Sequence, residues 1–254
     1  MTTVLATYNI KGGVGKTSAA VNLAYLASRD GARTLLWDLD PQGASTYLFR
    51  VRPKVKGGGR KLLRRGSDPA RQIKGTDHEG LDLLPADFSY RHMDLVLERF
   101  KRPTRRLARV IEPLRDDYDY VFLDCPPSIS LVSESVFEAA DALLVPVIPA
   151  TLSSRTLEQL EGLVNGEVGG LQILAFFSMF DARKRLHRDV MEGMRAEHAS
   201  VLASGIPASA EVERMGAKRT VLAGFAPNGR AATAYEALWR DVRERLGQYP
   251  SPPQ

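Results

Sequence analysis

The sequence predicts an α/β fold in three layers, a twisted, mostly parallel sheet flanked by helices on both faces. Three observations carry that prediction. Short apolar runs recur at 4–8, 34–37, 81–84, 120–123, 142–147 and 171–177, with stretches of helical periodicity between them. Several runs are nearly continuous in Val, Ile, Leu and Phe, the pattern of parallel strands covered on both faces. The first run passes through a glycine-rich turn directly into a helical stretch, as in a strand–turn–helix unit. With 254 residues and no internal repeat, one domain over 1–247 is expected, followed by a proline-rich tail, 248–254 (QYPSPPQ), that is extended or disordered.

Composition narrows the class. No apolar run approaches the length needed to span a bilayer, and the N-terminal run reads as a core strand rather than a signal peptide, so a cytoplasmic protein is expected. The single Cys125 cannot form an internal disulfide, which fits a reducing compartment. A net charge of +5 is a weak pointer to a polyanionic partner. The four histidines, His78, His92, His187 and His198, lack close metal-ligand spacing and receive no role.

The first element is the run at 4–8, and residues 11–17 after it read KGGVGKT. This is close to the phosphate-loop pattern, with Lys11 in place of the first glycine. Gly12, Gly13, Val14 and Gly15 turn main-chain N–H groups toward phosphate oxygens. Lys16 reaches the outer phosphates, the Thr17 hydroxyl suits Mg²⁺, and Ser18 continues the cradle into the helix. The helix, expected over 17–29, points its positive end at the same anion. Ala20, Leu23, Ala24 and Ala27 make its buried face and Gly31 ends it. Lys11 is a second cation at the mouth of a loop that already has one, a charge aimed at a neighbouring subunit's nucleotide.

The second run ends in Asp38-Leu39-Asp40-Pro41-Gln42, and alternation sends Asp38 and Asp40 to one side. At the carboxyl end of a parallel strand these acids belong to the active crevice, where Asp40 holds a water of Mg²⁺ or orients the attacking water. The plainer reading of Asp40 is a turn cap before Pro41. Residues 50–74 then break the rhythm, with ten Lys and Arg against Asp68 alone. They read either as a solvated, mobile loop or as a contact for nucleic acid or an acidic partner. A second basic run, 99–109, reads as an exposed helix face.

The run at 120–123 ends in Asp124, the acid expected to meet Mg²⁺, followed by Cys125-Pro126-Pro127-Ser128. Cys125 reads as a small buried filler, since no activating base is evident. The last helix, expected over 231–246, carries Tyr235, Leu238, Trp239, Val242 and Leu246 as a stripe that reads as a core-packing face.

KGGVGKT, DLDPQ at 38–42 and YVFLDCPPS at 120–128, in that order, resemble the deviant Walker A P-loop ATPases, and most closely the ParA/Soj-like partitioning group. LLVPVIPA at 143–150, SMFDARKRL at 178–186 and AYEAL at 234–238 are weaker echoes, so the likeness runs through nearly the entire chain. The resemblance implies a P-loop NTPase fold and ATP with Mg²⁺ as cofactors. It implies that Lys11 crosses a dimer interface to the partner's phosphates, and that Gly12 lies where two subunits approach. It implies too that Asp40 serves hydrolysis, that Asp124 is the Walker B acid and that Pro207 lies near the adenine.

The resemblance further implies a homodimer with ATP, nucleoid association through non-specific double-stranded DNA, and a ParB-like or cargo-adaptor activator. For DNA the candidates lie late in the chain: Arg183, Arg185, Arg214, Lys218, Arg219 and Arg230, with Lys184 and Arg188 beside them. Phosphate contact needs only cations. The loop starts almost at residue 10, which reads against the longer operator-binding type. Three alternatives remain. A MinD-like membrane-associated ATPase needs a separate amphipathic targeting helix. An iron–sulfur relative needs more thiolates than one cysteine per chain supplies. A metabolic P-loop enzyme is the third.

Overall fold

The computed structural model describes residues 2–167 and 170–247. The chain begins with β1 (Thr3–Thr7), α1 (Lys16–Arg29), β2 (Thr34–Asp38), α2 (Ala44–Leu48) and α3 (Gly58–Leu62). It continues through β3 (Lys74–Gly75), β4 (Leu81–Leu84), α4 (Met93–Leu97), α5 (Arg106–Ile111), β5 (Tyr120–Asp124) and α6 (Leu131–Ala139). The last third holds β6 (Ala142–Val147), α7 (Ser153–Glu167), β7 (Gln172–Phe180), α8 (Arg185–Glu197), β8 (Val201–Pro207), α9 (Ala210–Lys218) and α10 (Arg230–Arg245). Among the described residues the eight strands form one sheet in the order β3-β4-β2-β5-β1-β6-β7-β8. Every pairing is parallel except β3 with β4.

Strand alternation builds two cores, because successive side chains leave opposite faces of the sheet. Val4 and Ala6 of β1, Leu35 and Trp37 of β2, and Val121 and Leu123 of β5 join one buried cluster with residues of α4 to α7. Leu5, Leu36 and Phe122, the residues between them, join the other with α1 and α10. The parallel strands therefore read as continuous apolar runs. The stripe on α10 packs inward, with Tyr235, Leu238, Trp239 and Val242 all buried, as its spacing predicts. Buried His198, next to the end of α8, reaches back to α7 through Glu161 at 3.0 Å and Ser154 at 2.9 Å.

Several expected boundaries shift. The first strand is Thr3–Thr7, although the Tyr8 N–H still donates to the Leu144 carbonyl at 3.0 Å, and α1 opens at Lys16, since left-handed Gly15 occupies its N-cap. The run at 171–177 extends to Phe180 as β7, pairing with β8. The last helix starts and stops one residue earlier than expected. Only the end of the run at 99–109 is helical, in α5.

The largest difference lies in 50–74, which is folded rather than a plain loop. Val55, Leu62 and Leu63 are buried in the first core, with Leu62 the last residue of α3 and Leu63 its C-cap. Gly57 and Gly58 take left-handed φ of 87° and 63°, which glycine adopts without steric cost. A Cβ on Gly59 would stand 3.0 Å from Tyr90, so the small residue lets α3 lie close on the segment after β4. The tail 248–254 lies outside the described residues.

Candidate active site

Asn9 fixes the turn between β1 and α1. Its amide nitrogen donates to the Pro146 carbonyl at 2.8 Å, tying the loop to β6, and its side-chain oxygen accepts from the Lys11 N–H at 3.0 Å. Gly13 and Gly15 take φ of 71° and 97°, the left-handed geometry that turns consecutive N–H groups into a concave, anion-seeking face. A Cβ on Gly15 would stand 2.8 Å from Ser178 Oγ, so the carboxyl end of β7 presses on the loop. At Gly12 the same test meets nothing within 4 Å.

The two lysines behave oppositely. Lys16 is buried and its Nζ donates to the main-chain carbonyls of Asn9 (3.1 Å) and Lys11 (2.9 Å), bridging the loop from within. Burial holds its ammonium below the usual lysine range, against the pull of Asp124. Lys11 is exposed, and its side chain makes no hydrogen bond or ion pair among the described residues.

Three carboxyls gather at the carboxyl ends of β2 and β5. Asp124, fully buried, accepts from Ser45 Oγ at 2.6 Å and from the Thr17 hydroxyl. Asp38, also fully buried, accepts from the Thr46 N–H at 2.8 Å and the Thr46 hydroxyl at 2.7 Å. Burial raises both carboxyls above the ordinary range, with Asp124 adding to the effect at Asp38. Asp40 is half-buried and within electrostatic reach of Asp124 and Lys16, while its Oδ1 accepts from the Gln42 N–H at 2.9 Å. The turn-cap contact and a place in the crevice are therefore both present at Asp40.

Clustered carboxyls whose charged form burial disfavours, and a cation would favour, stand beside the Thr17 hydroxyl and a cradle of N–H groups, a donor set suited to a hard divalent cation and phosphate. The residues fit Mg²⁺ with a nucleotide. Cys125 is buried and its thiol is pushed well up by burial, which suits a filler and not a nucleophile. Pro207 closes β8, paired with Phe180, at the same end of the sheet as the loop.

Sequence reading missed Ser45, Thr46, Asn9 and Ser178. The hydroxyl pair just after DLDPQG was the available signal, since short hydroxyl side chains after an acidic turn are ready partners for those acids.

The late cations fall into separate groups. Arg183 is held by Asp181 through two contacts of 3.0 Å, and Arg185 lies 3.5 Å from Asp189. Arg214 and Lys218 stand exposed on α9. Arg219 caps that helix, covers the Tyr47 ring at 4.4 Å and donates to the Tyr47 carbonyl at 3.1 Å. Arg230 opens α10, exposed.

Known proteins resemble this chain over most of its length. The family described as an AAA domain (AAA_31) matches residues 2–166. The chromosome partitioning protein ParA of Caulobacter vibrioides is 34% identical over 205 residues, 76% of this chain and 75% of that protein. The chromosome-partitioning ATPase Soj of Thermus thermophilus is 34% identical over 258 aligned positions, covering 95% and 96%. A solved structure of cobyrinic acid a,c-diamide synthase from Mycobacterium smegmatis, with ADP and magnesium, superposes over 100% of both chains with a TM-score of 0.82 at 28% identity. The loop with its outward lysine, the paired strand-end acids and this likeness over most of the chain make the protein a member of the ParA/Soj family of P-loop ATPases.

Proposed function

We propose that the protein is a Mg²⁺-dependent ATPase that closes into a dimer around ATP, binds duplex DNA without sequence preference, and positions or segregates cargo in the cytoplasm on the nucleoid. One observation carries this reading: a single phosphate loop holds two lysines, one buried and spent on its own loop, the other exposed and unpaired beside a glycine with open space over it. A second subunit supplies what Lys11 lacks, and a cation that arrives only on dimerisation stabilises charge developing on the transferred phosphoryl group. Exposed Ile129 (67%) and Leu152 (64%), on the connections after β5 and β6, supply apolar surface near the same rim.

Within this reading Lys16 and the N–H groups of Gly12 to Ser18 hold the phosphates, and Pro207 stands toward the adenine. Thr17 and Asp124, with Asp40 through water, hold Mg²⁺, which neutralises phosphate charge when bound. Asp40 orients water for hydrolysis. A ParB-like or cargo-adaptor protein accelerates turnover and so releases the dimer from DNA. Exposed Arg183, Arg185, Arg214, Lys218 and Arg230 and half-buried Arg219 supply DNA contacts, and dimerisation doubles them, so that weak contacts add through avidity.

The M. smegmatis structure favours a second reading, a metabolic enzyme acting on a small molecule. Against it, the cavity beside the loop, lined by Tyr8, Ile10, Lys11, Val147, Leu157 and Leu160, is about 180 Å³ and mostly apolar. That cavity by itself is smaller than the roughly 300–1,000 Å³ that a drug-sized substrate takes. No described helix is long and apolar enough to cross a membrane.

The test compares mass and duplex DNA binding with no nucleotide, ADP–Mg²⁺ and ATP–Mg²⁺. A dimer that binds random-sequence DNA only with ATP supports the proposal. A folded protein that stays monomeric and off DNA in every state would overturn it and move attention to the metabolic reading.

A further inference from the structure

The 51–74 segment carries a groove of about 1030 Å³ outside the nucleotide site. Arg52, Lys54, Lys56, Lys61, Arg71 and Lys74 line it against one acid, Asp68, which Arg71 already holds at 2.8 Å. The surplus of five positive charges equals the formal net charge of the entire chain, so the rest of the protein sums to neutrality. Arg52, Lys56, Lys61 and Lys74 make no ion pair among the described residues. The five cations left over once Arg71 is paired with Asp68 repel one another, a cost that an anionic ligand removes.

The floor is built while the charges stay in water. Val55 and Leu62 are buried, the Val55 N–H donates to Asp87 at 2.8 Å, the Lys56 N–H to Gln72 at 2.8 Å and the Gly59 N–H to Ser89 at 2.9 Å. The cations are therefore presented on a fixed backbone.

The lining selects among polyanions. It contains no aromatic side chain, so there is no platform on which unstacked bases sit, as single-stranded nucleic acid requires. Its apolar members are buried Val55 and Leu62 and half-buried Val51, which leaves little exposed apolar surface for the anchors in which a protein partner's affinity concentrates. Point charges along an open groove match the phosphates of a duplex, which need cations and nothing else.

Tertiary contacts join this groove to a second basic surface. Arg219 at the end of α9 grips Tyr47 of α2, and the chain leaving α2 runs through Arg50 into Arg52 and Lys54. Thus α2 touches α9, which carries Arg214 and Lys218, and leads directly into the groove.

We propose that the 51–74 groove is a seat for the phosphate backbone of duplex DNA, extending the surface of α9 across α2. The proposal rests on the DNA-binding reading given above. It places the DNA contact on both an early and a late part of the chain, with the early part supplying the larger charge.

The test uses the full chain with ATP–Mg²⁺ and a random-sequence duplex, titrated over a salt series, with lysine acetylation footprinting in parallel. The variant Lys54→Gln/Lys56→Gln/Lys61→Gln/Lys74→Gln changes exposed side chains and is expected to melt with the wild type. Each phosphate contact contributes about 0.9 to the slope of log K against log salt, so the slope becomes shallower by up to about 3.6. Affinity at moderate salt falls at least about tenfold. The matching Lys→Arg variant retains binding, and DNA protects the four lysines from acetylation.

Wild-type affinity and slope in the glutamine variant, with binding lost instead in Arg214→Glu/Lys218→Glu, would overturn the groove and leave the ATP-dependent DNA switch standing. Groove-dependent capture of polyglutamate without groove-dependent duplex binding would overturn it in favour of an acidic protein partner. Wild-type protein that binds no duplex with ATP would overturn both this proposal and the reading beneath it.

Discussion

Gly12→Val separates an effect between subunits from an effect within one. Gly12 is exposed, its φ lies outside the left-handed region, and a Cβ there meets nothing within 4 Å. A surface substitution of that kind changes stability by no more than about 0.5 kcal/mol. For a chain of this size, 1 kcal/mol moves the melting midpoint by about 2–4 °C, so the variant should melt within about 2 °C of wild type. Gly15→Ala is the contrast: φ is 97° and the new Cβ would stand 2.8 Å from Ser178 Oγ. Left-handed geometry alone costs roughly 1–2 kcal/mol, and the contact adds to it, so the midpoint should fall by at least about 2–8 °C. Differential scanning calorimetry without nucleotide reads both, and light scattering with ATP–Mg²⁺ reads the dimer. Gly12→Val should match wild type in the first assay and remain monomeric in the second. A Gly12→Val protein that melts far below wild type, or one that dimerises normally with ATP, would refute the reasoning.

Other predictions concern the acids and the cation. Ser45→Ala removes a 2.6 Å hydrogen bond to buried Asp124, a loss of about 1.5–3 kcal/mol for a bond to a charged group. Because that bond lowers the Asp124 pKa, its loss raises the pKa further, and Mg²⁺-dependent nucleotide affinity should drop more at acidic than at alkaline pH in calorimetric titrations. Asp40→Ala should keep the ATP dimer on DNA while phosphate release falls; an unchanged turnover rate removes Asp40 from hydrolysis. Saturating nucleotide at about 100 times Kd stabilises the folded state by about 2.7 kcal/mol, a midpoint rise of roughly 5–11 °C. Chelating Mg²⁺ should abolish most of that rise and all turnover.

Much of the fold was legible because its signals are local. The runs at 81–84 and 142–147 became β4 and β6 residue for residue; in β6 the run is continuously apolar and buried, as a strand covered on both faces needs, and in β4 only Asp82 interrupts it. KGGVGKT encodes its own turn, with glycine at both left-handed positions. Asp38 and Asp124 mark strand ends in the sequence and lie paired in register in adjacent strands. The edge strand β8, VLASGIP, escaped notice because Ser and Gly interrupt its pattern, and two-residue β3 is too short to carry one.

The site was legible as a set of residue types and not as an arrangement. Lys11 and Lys16 are the same amino acid five positions apart, and only the folded loop turns one inward and leaves the other in water. The partner of Asp124 lies 79 residues away at Ser45, and that of Tyr47 lies 172 residues away at Arg219. Residues 50–74 show their charge in one dimension, but whether those charges hang from a loop or line a groove depends on Val55 and Leu62 finding a core that distant strands supply. Local chemistry thus settled the elements, the nucleotide loop and the acids. The contacts that set burial, charge environment and the joining of α2 to α9 exist only once the chain has folded, because burial and pairing are properties of neighbours in space.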